Sequence, residues 1–202
     1  KSHRKDIYDL LKPDSRMIFA YTISPQSVID SYEHKTGSLK DRIDAVKKAM
    51  ENGFTVRLCF DPMIYCSNFE KEYEEMFKEV VDSIDLTRVK DISIGSFRLS
   101  SDYLKIMRHK MPDSAICQFP FETNNGTAAF PLVIREKMEK HLMKLLTEYV
   151  AEDKIFRLLY LFSLIIFDMT TGSDNVAIVS IKEYVGITKE YKPIASSPTI
   201  LV

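Results

Sequence analysis

The sequence predicts an α/β protein built on a parallel sheet, and three observations carry that prediction. A helical stripe that ends at Asn52-Gly53 passes without a spacer into an extended run, Phe54 to Phe60, which stops at Asp61-Pro62. Glycine takes the left-handed conformation past a helix end at no steric cost, and proline has no N–H to give a ladder. The same helix-to-strand joint recurs along the chain with short connections. Such alternation implies parallel strands with right-handed crossovers, as a barrel segment or an open sheet. The carboxylate of Asp61 stands at the C-terminal end of its strand, where α/β sheets place their chemistry.

Taken in order, residues 4–12 read as the end of an amphipathic helix closed by Lys12-Pro13-Asp14. Met17 to Ile23 is a buried strand, with Thr22, Ser24 and Pro25 at its C-terminal end. Ser38 is a good N-cap for a helix from Leu39 to Asn52, on which Leu39, Ile43, Val46 and Met50 form one stripe. Asn68 caps a second helix, with Tyr73, Met76, Phe77, Val80 and Val81 on one face. Asp91 to Gly95 is a short strand that runs into Gly95-Ser96-Phe97-Arg98. Ser100-Ser101-Asp102 opens a third helix through Lys110, stopped by Met111-Pro112-Asp113. Ala115 to Phe119 is strand-like, and Asn124-Asn125-Gly126 predicts a hairpin between Gln118–Glu122 and Thr127–Phe130. Residues 131–149 form a long amphipathic helix started by Pro131. Ile155 to Tyr160 is the last clear strand. Beyond Phe167 the pattern degrades: residues 170–175 read as a loop, Val176 to Ile181 as an extra strand, and the tail to Val202 as weakly structured.

Composition narrows the class. A chain of 202 residues, 45% hydrophobic, can bury one core of its own, with an appendage at most. The division expected is an α/β unit over residues 1–168 and an irregular tail over 169–202. A formal charge of −1 gives no global electrostatic case for nucleic acid, and the basic start Lys1-Ser2-His3-Arg4-Lys5 reads as a solvated terminus. Three cysteines and no secretory signal fit a reducing cytoplasm better than a disulfide framework. The apolar run 155–167 is interrupted by Arg157 and falls short of the roughly 20 residues a membrane span needs. The chain opens mid-pattern without an initiator methionine and so reads as a fragment.

If the strands run parallel, their C-terminal ends gather Thr22, Ser24, Asp61, Ser96 and Arg98 on one rim. Hydroxyls, one carboxylate and one arginine suit a polar small-molecule ligand; alternatively, these residues cap helices and neutralise one another. Glu33-His34-Lys35, before a helix start, could be a site, although alone such a triplet is more often a solvated loop. His109 and His141 lie on helices with no partner at metal-ligand spacing, so no metal site is expected. Cys59 reads as a core residue within a strand and Cys66 as a loop thiol. Two thiolates cannot hold a four-iron cluster. Neither a Gly-rich phosphate loop nor a GxSxG or HExxH motif is present, and no catalytic residue can be assigned.

The run Ile23-Ser24-Pro25-Gln26-Ser27-Val28-Ile29-Asp30-Ser31-Tyr32-Glu33-His34-Lys35-Thr36, then Ser38-Leu39 and Arg42-Ile43-Asp44-Ala45, resembles spore photoproduct lyase-type radical S-adenosylmethionine proteins. So do Gly53-Phe54, Phe60-Asp61-Pro62-Met63-Ile64, Gly95-Ser96-Phe97-Arg98 and the hairpin-then-helix after Gln118. The likeness covers about residues 17–160 in consistent order. It implies a partial parallel (β/α) barrel, truncated at its N-terminal half and carrying a β-hairpin insertion. In such proteins a CxxxCxxC loop holds a 4Fe-4S cluster, and reductive cleavage of S-adenosylmethionine gives a radical that reverses a thymine-dimer lesion of spore DNA. The resemblance places Thr22, Ser24 and Asp61 at cofactor-binding positions and Ser96 and Arg98 at substrate-binding ones. No CxxxCxxC occurs here, so the cluster ligands belong to the missing N-terminal half. The hairpin tip has no lysine or arginine to meet phosphate. Two functions follow: part of a DNA-repair lyase of this type, or a non-catalytic scaffold or interaction module that keeps the α/β frame without the cluster.

Overall fold

The structure, a computed structural model, describes residues 5–157. Four strands carry it: β1 (Ile18–Thr22), β2 (Thr55–Met63), β3 (Asp91–Ser96) and β7 (Ile155–Arg157), side by side in that order and all parallel. The crossovers hold α1 (Gln26–Tyr32), α2 (Leu39–Glu51), α3 (Phe69–Ser83), α4 (Ser101–Lys110), α5 (Ala115–Gln118) and α6 (Leu132–Leu146). A second, antiparallel sheet of β4 (Arg98–Ser100), β6 (Thr127–Ala129) and β5 (Glu122–Asn124) follows β3.

Period-two alternation gives the parallel sheet two unlike faces. Register pairs Phe19 with Val56, Tyr21 with Leu58, Leu58 with Ile92 and Phe60 with Ile94. All of these are buried, under α2, α3 and α6. The residues between them, Ala20, Thr22, Arg57, Cys59, Asp61 and Ser93, are only partly covered. One face is therefore a hydrophobic core and the other a polar surface, whereas parallel sheets elsewhere are usually apolar on both.

Local chemistry explains the elements. Ser38 and Asp41 form a reciprocal capping box at the start of α2, each side chain taking the other's backbone N–H at 3.1 Å. Such a cap contributes about 1 kcal/mol. Gly53, at φ +79°, turns the chain out of α2 and lets the Phe54 N–H reach the Ala49 carbonyl at 3.0 Å. Asn125 and Gly126, both at positive φ, make the tight turn between β5 and β6. Buried Tyr73 of α3 accepts the Ile64 N–H at its hydroxyl at 2.8 Å, and burial pushes its pKa well above the ordinary phenol value. That bond fixes the segment leaving β2.

Several sequence expectations need correction. β2 does not stop at Asp61-Pro62 but continues to Met63, because a register shift between Phe60 and Met63 absorbs the proline. Within residues 4–12 the described part is a 3-10 turn, Asp6–Asp9, packed through Tyr8 against Phe19 and Phe54. The strand-like stretch 115–119 is the short helix α5, whose carbonyls at Cys117 and, just beyond it, Phe119 are bonded by Arg108 rather than by a ladder. The first hairpin strand begins at Glu122, not Gln118. Pro131 stands at the N-cap of α6 rather than inside it, and Asn68 makes no side-chain cap. The expected continuation of β7 to Tyr160, the loop 170–175, the strand Val176 to Ile181 and the boundary at residue 168 lie outside the described residues. No helix among those described is long and apolar enough to cross a membrane.

Candidate functional site

The C-terminal end of the sheet is built in two polar groups. The first joins β2 to β4. Arg98 donates from Nη1 to Asp61 Oδ1 at 3.1 Å and to the Ser96 carbonyl at 3.0 Å. The Arg98 side chain is 30% exposed and that of Asp61 22%, so the pair sits at an accessible rim rather than in the core. The Phe97 N–H, bonded to the Met63 carbonyl at 2.9 Å, carries the sheet past Ser96 and aims the chain toward Arg98. Phe97 then packs against Phe121 and Phe130, which anchor the small sheet beside the rim.

The second group lies at the end of β1 and is buried. Arg42, 1% exposed, donates to Glu33 Oε2 at 2.6 Å, Thr36 Oγ1 at 2.7 Å, the Gly37 carbonyl at 2.9 Å and the Thr22 carbonyl at 3.4 Å. The Ser24 hydroxyl donates to the other Glu33 oxygen at 3.1 Å. Ser24 is itself buried, and the Ile23 N–H pairs with the Cys59 carbonyl at 2.9 Å. Glu33 is thus no solvated loop residue, although His34 and Lys35 beside it are exposed.

Below the rim, the polar face carries Arg57 and Asp91, paired through both guanidinium Nε and Nη2. The pair raises the Arg57 pKa further above its already high ordinary value. Cys59 lies one pleat closer to the rim, partly exposed on this face and not in the core. Burial pushes its thiol up, against the opposing hydrogen bond from Ser93 and the charge of Arg57. On α6, Glu139 also has a raised pKa, because burial outweighs the attraction of Arg135, Arg157 and Arg98. His141 packs on Phe69 and points Nε2 at the Glu70 carbonyl, so it is a packing residue.

Of the five rim residues expected from sequence, Asp61 and Arg98 pair directly; Ser96 joins them only through its backbone carbonyl, the residue itself being buried. Thr22, paired in register with Cys59, lies one strand away on the same polar face, while Ser24 and the Thr22 carbonyl join the buried group. Sequence reasoning weighed Glu33 as a site but favoured a solvated loop for it, and did not single out Arg42. The available signal was Arg42 at a position amid the apolar stripe of α2, flanked by Ile43 and Ala45.

A family model described as spore photoproduct lyase matches residues 3–121. The chain belongs to the spore photoproduct lyase family. Spore photoproduct lyase of Clostridium acetobutylicum is 32% identical over 81 residues, covering 39% of this chain and 24% of that protein. Among solved structures, a double mutant of spore photoproduct lyase with bound AdoMet and dinucleoside spore photoproduct superposes with a TM-score of 0.58 at 15% identity. A single cysteine-to-alanine mutant of the lyase gives 0.59 at the same identity. Each superposition covers 69% of this chain and 43% of the other, and establishes a shared α/β fold with a parallel sheet. The chain therefore spans a quarter of its curated relative and less than half of the lyase structures.

Proposed function

We propose that this chain is the S-adenosylmethionine- and substrate-facing part of a spore photoproduct lyase-like radical enzyme that repairs thymine-dimer lesions in DNA. The observation that carries the reading is the accessible Asp61–Arg98 pair at the C-terminal edge of a parallel sheet, on a face kept polar instead of packed. Asp61 and Thr22 are suited to accept from the hydroxyls and ammonium of S-adenosylmethionine, and Arg98, held by the Ser96 carbonyl, to meet a phosphate-bearing substrate beside it. Bound S-adenosylmethionine supplies hydrogen-atom abstraction in this family.

The iron–sulfur cluster that the family implies does not fit the residues described. Among them no three His, Cys, Asp or Glu side chains are grouped to hold a metal, and Cys59, Cys66 and Cys117 are separate free thiols. No step is therefore assigned through a cluster on these residues. The chain's own residues bind and orient: Asp61 fixes the ligand, Arg98 reads charge, and the capped crossovers hold both rigid.

The division of the chain into an α/β unit to residue 168 and a tail, and a cytoplasmic location, belong to the same proposal. The DNA contact it expects is weak in isolation. The hairpin turn Asn124–Thr127 carries no lysine or arginine, and each phosphate contact adds about one unit to the slope of log affinity against log salt. Sub-micromolar binding at physiological salt would contradict this expectation.

Calorimetric titration with S-adenosylmethionine tests the reading. The wild-type chain should bind, and Asp61→Asn should weaken binding about tenfold, the loss of one charge-assisted bond, with little change in melting temperature. A chain that binds none, or a variant that melts lower and binds unchanged, would assign Asp61 to a scaffold or interaction module instead.

A further inference from the structure

We infer that Glu33 and Arg42 are positioning residues for the end of β1, and that Ser24 serves them as support while Thr22 alone of the two is left to meet a ligand. This rests on the function proposed above. The Ser24 hydroxyl has one proton to give, and it goes to Glu33 Oε1 at 3.1 Å from a residue that is 1% exposed. Glu33 is held in turn by Arg42 at 2.6 Å, and the same guanidinium reaches the Thr22 carbonyl at 3.4 Å and the Gly37 carbonyl at 2.9 Å. One buried cation thus ties together the last residue of β1, the 33–37 turn and the first turn of α2.

Burial makes this arrangement committed. Both charged side chains are almost fully enclosed, at 1% and 7% exposure, so neither can swing to a ligand without leaving its partner unpaired in a poorly solvated site. Thr36 adds a further tie, donating to the Glu33 carbonyl at 2.6 Å while accepting from Arg42. Thr22, by contrast, engages the group only through its backbone, and its side chain lies on the partly covered polar face that also carries Cys59 and Asp61. Backbone fixed by a buried charge and side chain left on the open face is the arrangement expected of a preorganised ligand contact.

The experiment compares Ser24→Ala, Glu33→Gln, the double variant and Thr22→Val by amide hydrogen exchange without ligand and by titration with S-adenosylmethionine. Exchange should speed up in Ser24→Ala and Glu33→Gln over residues 22–26 and 33–38 and stay unchanged in Thr22→Val. S-adenosylmethionine affinity should fall about tenfold in Ser24→Ala and in Glu33→Gln and no further in the double variant, while Thr22→Val loses affinity with exchange intact. Unaltered exchange in Glu33→Gln would overturn the positioning role whatever the ligand does. Additive losses in the double variant would show Ser24 touching the ligand itself, and would also overturn it. A wild-type chain that takes no S-adenosylmethionine sinks the proposed function instead, and the exchange data still decide for or against the β1 anchor. Should Glu33→Gln fail to fold, Glu33→Asp, which keeps the charge and shortens its reach, takes its place under the same criteria.

Discussion

Two ion pairs lie at the same end of one sheet, and they differ in almost everything but their chemistry. Arg42–Glu33 is enclosed, hydrogen-bonded on every side and tied to three backbone segments; Arg98–Asp61 is a single 3.1 Å contact with both partners partly in solvent. A buried pair is costly to desolvate and more costly still to break, so it holds geometry. A rim pair contributes little to stability, so its partners can exchange for a ligand at small cost. The buried pair sets where the strand ends are, and the open one is left to act.

The largest way to break that contrast is Arg42→Met. It strands the Glu33 carboxylate, and urea unfolding should show a loss of about 3–5 kcal/mol. Adding Glu33→Gln should return part of it; a loss below about 1 kcal/mol would erase the distinction between the two pairs. Tyr73→Phe comes next, since it leaves the buried Ile64 N–H without its acceptor and should cost about 1–3 kcal/mol in the same measurement. Asp61→Asn should change unfolding free energy by no more than about 1 kcal/mol, and a larger loss would make the rim pair structural after all.

The smallest effect concerns pH. Burial raises the Glu139 pKa, so between the ordinary glutamate value of about 4.3 and the raised one the folded chain holds a proton that the unfolded chain has lost. Stability therefore falls as pH climbs through that window. Glu139→Gln should flatten this fall when melting temperature is followed from acid to neutral pH. An unchanged slope would show that another group titrates there.

The joints of the fold were legible because local chemistry decides them. Gly53, Ser38 and Asn125-Gly126 each demand a particular backbone, and the structure has it. What sequence did not show was decided by distance in space. Reading Asp61-Pro62 as a strand end followed from the missing N–H, yet a register shift lets β2 continue past it. Ala115 to Phe119 has strand-like residues but no neighbouring strand among the described residues, and Arg108 takes the carbonyls of Cys117 and Phe119 instead. Counting strand ends placed Asp61, Ser96 and Arg98 at one edge, and there Arg98 meets the Asp61 carboxylate and the Ser96 backbone carbonyl. For Glu33 the solvated-loop reading was favoured over a site because a charged triplet in a loop gives no sign that an arginine nine residues on will bury one of its members.

The unpacked face of the sheet has a thermodynamic consequence. Arg57, Cys59, Ser93 and Asp61 offer a ligand hydrogen bonds in place of those it made to solvent, and little hydrocarbon to be withdrawn from water. Binding there should be driven by enthalpy, with a heat-capacity change much smaller than an apolar pocket of equal area gives. Titrations at several temperatures should then return nearly the same enthalpy. The affinity of such a face is set by how well its dipoles are aligned before the ligand arrives, and a one-atom misplacement at a strand end weighs more than any change in contact area.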